Sequence, residues 1–320
     1  MEKSKWENLP MMIFGAMICC FLWGSAFPCI KIGYQLFHIS GGDTASQILF
    51  AGCRFTIAGM MVILFSSVTN RKFIKPMHPK RIATLSAFQT ITQYVFFYIG
   101  LAHTTGVKSS IITGSGTFLT LLVCCWGFKQ EKLTAKKVLG SILGFAGIIL
   151  VNLNGESIDL DFSLQGEGFV LIAAFCTAMA SGYIKKFSAD SDVVMLSGYQ
   201  FFFGGLVMAI VGASVGGHLS GFSLGGMCLL LYMGFISAMA YTLWGILLKY
   251  NDVSKVSTCK FMNPVFGVIL SFWLLGESNQ LGWQVLVALI LVCMGIFIVN
   301  YKKRVDVLDR TVMEKENINS

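Results

Sequence analysis

The chain has 320 residues, 55% of them hydrophobic and only 12% charged, with a mean hydropathy of +0.71 and a formal net charge of +8. Soluble domains carry about 25% charged residues, so the composition excludes an ordinary soluble domain and points to a membrane protein with the lipid bilayer as its surroundings. The positive balance implies no nucleic-acid partner, because its distribution along the chain reads as topology.

Ten apolar stretches follow one another at about 11–37, 46–68, 82–102, 107–128, 136–153, 166–184, 193–215, 223–249, 256–275 and 280–301. Each approaches the roughly 20 residues that a helix needs to cross about 30 Å of hydrocarbon, although 136–153 is short. The expected fold class is an all-α integral membrane protein with ten transmembrane helices, since a β-barrel would show alternating segments of about 10 residues. With the N-terminus inside, all but three of the 24 Lys and Arg, Lys260 among them, fall on the cytoplasmic side. The exceptions are Lys31, Arg54 and Lys108. Both termini are therefore expected in the cytoplasm of a multi-pass plasma-membrane protein of bacterial type, with residues 302–320 as a charged cytoplasmic tail. The first apolar run is too long for a cleavable signal.

Polar residues inside the stretches are the candidates for function. In "FLWGSAFPCIKIGY" (21–34), Trp23 and Ser25 precede Pro28, which kinks a helix, and Lys31. Lys31 lies about 20 residues, roughly 30 Å, from the cytoplasmic start, so it either snorkels to the outer headgroups or serves as an outer-gate cation. Arg54 sits inside the second stretch with no carboxylate nearby in sequence, and should point into the protein, towards helix-end carbonyls or a substrate carboxylate. Gln89, Gln93 and Phe97 share a face of the third stretch; Ser110, Thr113, Thr117 and Thr120 form one stripe of the fourth; Ser237, Tyr241 and Trp244 share a face of the eighth. Asn263 precedes Pro264, whose missing N–H frees a backbone carbonyl nearby. Hydroxyls in such helices also bond their own backbone, and the aromatic residues also pack or face lipid, so packing competes with binding at each position. Glu131 and Glu277 are read as caps or anchors of span ends.

None of the 16 Asp and Glu lies deep in a stretch, which disfavours a cation antiporter built on a membrane carboxylate. All ten cysteines lie within the stretches as small packing residues, and the four histidines lie in loops or at stretch ends. No metal site or cofactor is expected. No nucleophile has a base in reach by sequence, so an intramembrane enzyme is not expected either.

The sequence repeats itself. "AGCRFTIAGMMV" (51–62) lies on "SGYQFFFGGLVM" (197–208) at an offset of 146, which pairs Gly52 with Gly198, Phe55 with Phe201, Gly59 with Gly205 and, further on, Glu131 with Glu277. At an offset of 154, Lys31 falls on Lys185, its counterpart near the cytoplasmic face, and "GIILVN" (147–152) echoes "GIFIVN" (295–300). Residues 1–154 and 155–301 are thus expected to be two five-helix repeats. Five is odd, so the second copy is inverted, and inverted repeats place a substrate site near the midplane between them. Thr117 maps onto Asn263, bringing two polar side chains to that midplane.

These motifs resemble a family. "WGSAF" followed by Lys31, "GCRF" at 52–55, "FFYIGLAHT" at 96–104 and "MNPVFGVILSFWLLGE" at 262–277 are similar to EamA-type members of the drug/metabolite transporter superfamily, over about Met11 to Tyr301. Phe118 stands in the fourth stretch where the family pattern repeats the ninth-stretch proline. The resemblance implies a secondary transporter, commonly an exporter, of a small-molecule substrate. The uncharged aromatic lining suits neutral or zwitterionic metabolites such as amino acids. Drug efflux, sugar-phosphate or nucleotide-sugar exchange, and a membrane receptor or assembly protein remain as alternatives, with a homodimer left open.

Overall fold

The computed structural model describes residues 5–104, 106–152, 162–275 and 283–301, and those residues form helices joined by short turns. The helices are α1 (Leu9–Leu36), α2 (Thr44–Thr69), α3 (Pro79–Leu85), α4 (Gln93–Ala102), α5 (Gly106–Leu122), α6 (Ala135–Asn152), α7 (Phe169–Phe187), α8 (Val193–Ser214), α9 (Leu224–Tyr250), α10 (Val253–Thr258), α11 (Met262–Leu275) and α12 (Trp283–Asn300). Wide π turns at Ser86–Thr92, Val123–Gly127 and Leu164–Gly168 join α3 to α4, close α5 and open α7. A tight 3-10 turn at Cys259–Phe261 joins α10 to α11. Glu277 lies outside the described residues.

Among the described residues, six runs are long and apolar enough to cross a membrane: Leu9–Leu36, Thr44–Thr69, Lys108–Gly127, Leu164–Phe187, Val193–Ser214 and Leu224–Tyr250. Large apolar side chains stand outside them, with Phe65 75% and Trp273 76% exposed. Water would penalise such a surface, whereas hydrocarbon accommodates it.

Local chemistry sets the helix starts. The Asp43 carboxylate accepts from Ser46 N at 3.0 Å and the Asp192 carboxylate from Val194 N at 2.7 Å, satisfying amides that a helix start leaves unbonded. Pro28 lies inside α1, which continues through it. Pro264 is the third residue of α11, in the first turn, where its missing N–H breaks no bond of the helix.

Small residues decide which helices meet. The α2–α8 pairing is the most extensive in the protein, and it is antiparallel. A Cβ on Gly59 would lie 2.3 Å from Phe202 N, and one on Gly205 would lie 2.4 Å from Thr56 N. Gly52 faces Ala209 and Gly212 faces Leu49 in the same way, so glycines seven residues apart let the two backbones touch. The α6–α12 pair repeats the device, with Gly147 against Ala288 and Val292 and Gly295 against Gly140 and Gly144. Helix α1 lies between α9 and α11, and α7 lies against α4 and α5. The largest apolar core, with Met12, Cys19, Cys20, Trp244, Leu247, Cys259 and Phe261, fills the space where α1, α9 and the α10–α11 run converge.

Candidate functional site

The face of α9 that carries Ser237, Tyr241 and Trp244 is the spine of a buried polar and aromatic zone. Arg54 reaches it from α2, 3% exposed, with its Nε donating to Ser237 Oγ at 2.9 Å. Among the described residues no carboxylate pairs with Arg54, and its guanidinium lies 5.3 Å from the Phe55 ring centre. One turn along α9, the Tyr241 hydroxyl shares a 2.6 Å hydrogen bond with Tyr94 of α4. The Tyr241 ring also meets Trp23 at 5.0 Å and Phe201 at 4.9 Å.

Trp23 reaches this zone because Gly24 brings α1 onto α11, where a Cβ would stand 2.6 Å from Phe266 Cβ. Its ring lies 5.0 Å from Trp244, which is only 2% exposed. Ser25 turns to Tyr232 of α9 at 3.2 Å and donates to Leu22 O at 2.8 Å. The structure thus brings Trp23, Ser25, Arg54, Tyr241 and Trp244 together along α9.

Several polar atoms in the bundle are buried with no hydrogen-bond partner among the described residues: Nε1 of Trp23 and of Trp244, Oε1 of Gln93, Nε2 of Gln200, Oγ of Ser257 and Oδ1 of Asn263. An unpaired buried polar group costs about 1–3 kcal/mol, so these atoms are candidates for solute or water. Gln89, on the π turn, is buried, and Thr117 on α5 is 6% exposed. The expected stripe on α5 is only partly internal, because Thr113 is exposed, and the buried Thr120 donates to Gly116 O at 2.8 Å.

Lys260, expected among the cytoplasmic cations, has its ammonium 5.1 Å from the Trp244 ring centre. It lies in the 3-10 turn at Cys259–Phe261. The only signal available in the sequence was position, since Lys260 is three residues before Asn263 and therefore shares its side of a helix.

The remaining sequence candidates serve helix ends. Glu131 is 4% exposed; it pairs with Lys137 at 2.6 Å, accepts from Ser254 N at 3.0 Å, and is also bonded by Ser254 Oγ, so it ties the α5–α6 connection to the start of α10. Lys185 donates to the carbonyls of Lys249 at 3.1 Å and Asn251 at 2.8 Å, at the end of α9. Burial pulls the neighbouring Asp252 carboxyl upward, but the hydrogen bond and charge of Lys255, with Lys137 and Lys185 beyond, hold it below its ordinary range. At the opposite end Glu167 accepts from Thr104 at 2.6 Å and pairs with Lys108 at 3.3 Å. Lys31 is exposed on α1.

Long apolar helices around a buried polar and aromatic interior define a membrane protein. The chain belongs to the EamA-like transporter family, which it matches over residues 10–153 and again over 164–301, and as such it is a membrane transporter of the drug/metabolite superfamily and not an enzyme. It is similar to a WAT1-related chloroplastic protein of Arabidopsis thaliana, 26% identical over 88% of this chain and 67% of that one. An uncharacterized transporter of Bacillus subtilis, YvbV, is 26% identical over 90% of this chain and 92% of its own. Another, from Archaeoglobus fulgidus, is 24% identical over 80% and 86%. A protein of known crystal structure shares the fold, with a TM-score of 0.73 over 90% of this chain and 95% of that one at 14% identity.

Proposed function

We propose that this transporter is a secondary active exporter of small neutral or zwitterionic metabolites, amino acids among them, working by alternating access. Ten crossings form two inverted five-helix halves, 1–154 and 155–301, in a plasma membrane with both termini cytoplasmic. The packing supports the inversion. Helices α2 and α8 occupy matching places in the two halves, as do α6 and α12, and each pair is antiparallel. The contacts also exchange: Gly59 with Phe202 becomes Gly205 with Thr56 when 146 is added to one residue and subtracted from the other. Such halves can swap conformations and open a central site to either side in turn.

The substrate class rests on one observation. Arg54 is buried with a hydroxyl and, among the described residues, no acid as its partner, so a substrate carboxylate would offset the desolvation of its charge, while an organic cation would be repelled. Gln200 takes the place of Arg54 in the second half and accepts from Thr90 at 2.9 Å, so Arg54→Gln imitates a side chain this architecture already holds. In proteoliposomes, the wild type should carry an amino acid and exclude a lipophilic cation. Arg54→Gln should lower amino-acid transport about ten-fold or more, the scale of one lost charge-assisted hydrogen bond, and lower a neutral solute less. Robust transport of the cation, indifferent to Arg54, would overturn the reading.

A further inference from the structure

Lys260 stands at the far end of the same α9 face as Arg54. Ser237, which holds Arg54, and Trp244, which faces Lys260, are seven residues apart, two turns or about 10 Å along the helix. Between them lie Tyr241 and, from α1, Trp23. The interior therefore carries two cations at opposite ends of one aromatic strip.

The surroundings of Lys260 are those of a site. It occupies the 3-10 turn that interrupts the α10–α11 run, and an interrupted membrane helix exposes side chains and backbone to a bound solute. Ser257 and Asn263 lie three residues to either side of it, on its side of the run, and each has a buried oxygen without a partner among the described residues. Across from them, Trp244 is 98% buried by its 2% exposure, and both its indole N–H and that of Trp23 are likewise unpartnered. The ammonium, two indole N–H groups and the Ser257 hydroxyl can donate to an anion, whereas Asn263 Oδ1 is an acceptor that calls for a donor on the solute. Among the described residues no acid pairs with Lys260, and its ammonium lies over the Trp244 face. It is nevertheless partly exposed. The first half has Gly114 at the corresponding position, so the cradle is not a by-product of the duplication.

We propose that Lys260, with the indole N–H groups of Trp23 and Trp244, is a second carboxylate-binding station, on the cytoplasmic side of Arg54, and that the solute is one that carries a carboxylate. The proposal rests on the transporter reading above and narrows its substrate class. A carboxylate entering from the cytoplasm meets Lys260 first and Arg54 second, and the aromatic strip between them contacts the apolar part of the solute.

The test compares acids with their amides on purified protein in detergent, using phenylacetate and phenylacetamide, leucine and leucinamide, and succinate and succinamide, with ligand-dependent thermal stabilisation as readout. The wild type should bind at least one acid more tightly than its amide. Lys260→Met should weaken that acid about ten-fold and change its amide less than about two-fold, while Lys260→Arg keeps the acid preference. Lys260→Gln replaces Lys260→Met if the latter is aggregated by size-exclusion chromatography. A wild type with no acid preference, or a preference unchanged in the Met and Gln variants, would overturn the station. Acid binding that depends on Arg54 and not on Lys260 would leave the transporter reading standing and remove this proposal alone. Lys260-dependent acid binding without amino-acid transport would keep the station and remove amino acids alone as the substrate.

Discussion

Ser237 gives Arg54 a hydrogen-bond acceptor, and that contact joins α2 to α9 across 183 residues of sequence. Ser237→Ala removes the acceptor and leaves a buried guanidinium N–H unpaired, which should destabilise the protein by about 1–3 kcal/mol. Ser237→Thr, which keeps the hydroxyl, should restore most of the loss in thermal unfolding monitored in detergent. A different balance holds at the surface, where Arg81 binds Asp190 through both guanidinium nitrogens, Nη2 to Oδ2 at 2.9 Å, and so ties α3 to the α7–α8 turn. The hydrogen bond from Arg81 keeps the Asp190 carboxyl below its ordinary range. A lowered folded value means that the pair contributes above the ordinary carboxylate range and is lost as pH falls through the folded value. Asp190→Asn should therefore flatten slightly the acid side of a melting-temperature profile. The effect is small because the pair is exposed to water.

The glycine seam between α2 and α8 is a property of two helices together. Gly59→Ala would place a methyl group 2.3 Å from Phe202 N and 2.7 Å from Gly198 O, both backbone atoms that cannot turn aside. It should cost about 2 kcal/mol or more, or block assembly, whereas Gly41→Ala, with nothing within 4 Å, should leave the melting temperature unchanged. The existence of these helices was legible in the sequence. The apolar stretch at 11–37 became Leu9–Leu36 and that at 193–215 became Val193–Ser214, because a run of apolar residues bounded by charge has few other solutions in hydrocarbon. The irregular turns were not legible. The π turn Ser86–Thr92 and the 3-10 turn Cys259–Phe261 differ from α-helix by a fraction of a residue per turn, which no hydrophobic pattern records. Lys260 sits on that 3-10 turn, while Arg54, expected to point into the protein for want of a nearby carboxylate, and Trp244 are buried on regular helices.

For the whole molecule, the proposed ten-crossing topology would put Gly41 at the outer surface and Lys75 in the cytoplasm. A cysteine introduced at Gly41 should react with an impermeant maleimide on intact cells, and one at Lys75 only after permeabilisation. Reaction of both from one side would remove the topology. If the two halves exchange conformations, something between them has to stay still. The α2–α8 seam suits that requirement because backbone meets backbone at its glycines. It would act as a fulcrum, and the motion would fall to the other interfaces. Spin labels on the outer faces of α2 and α8 should then keep one separation throughout the cycle, as two points on the axle of a turning wheel do.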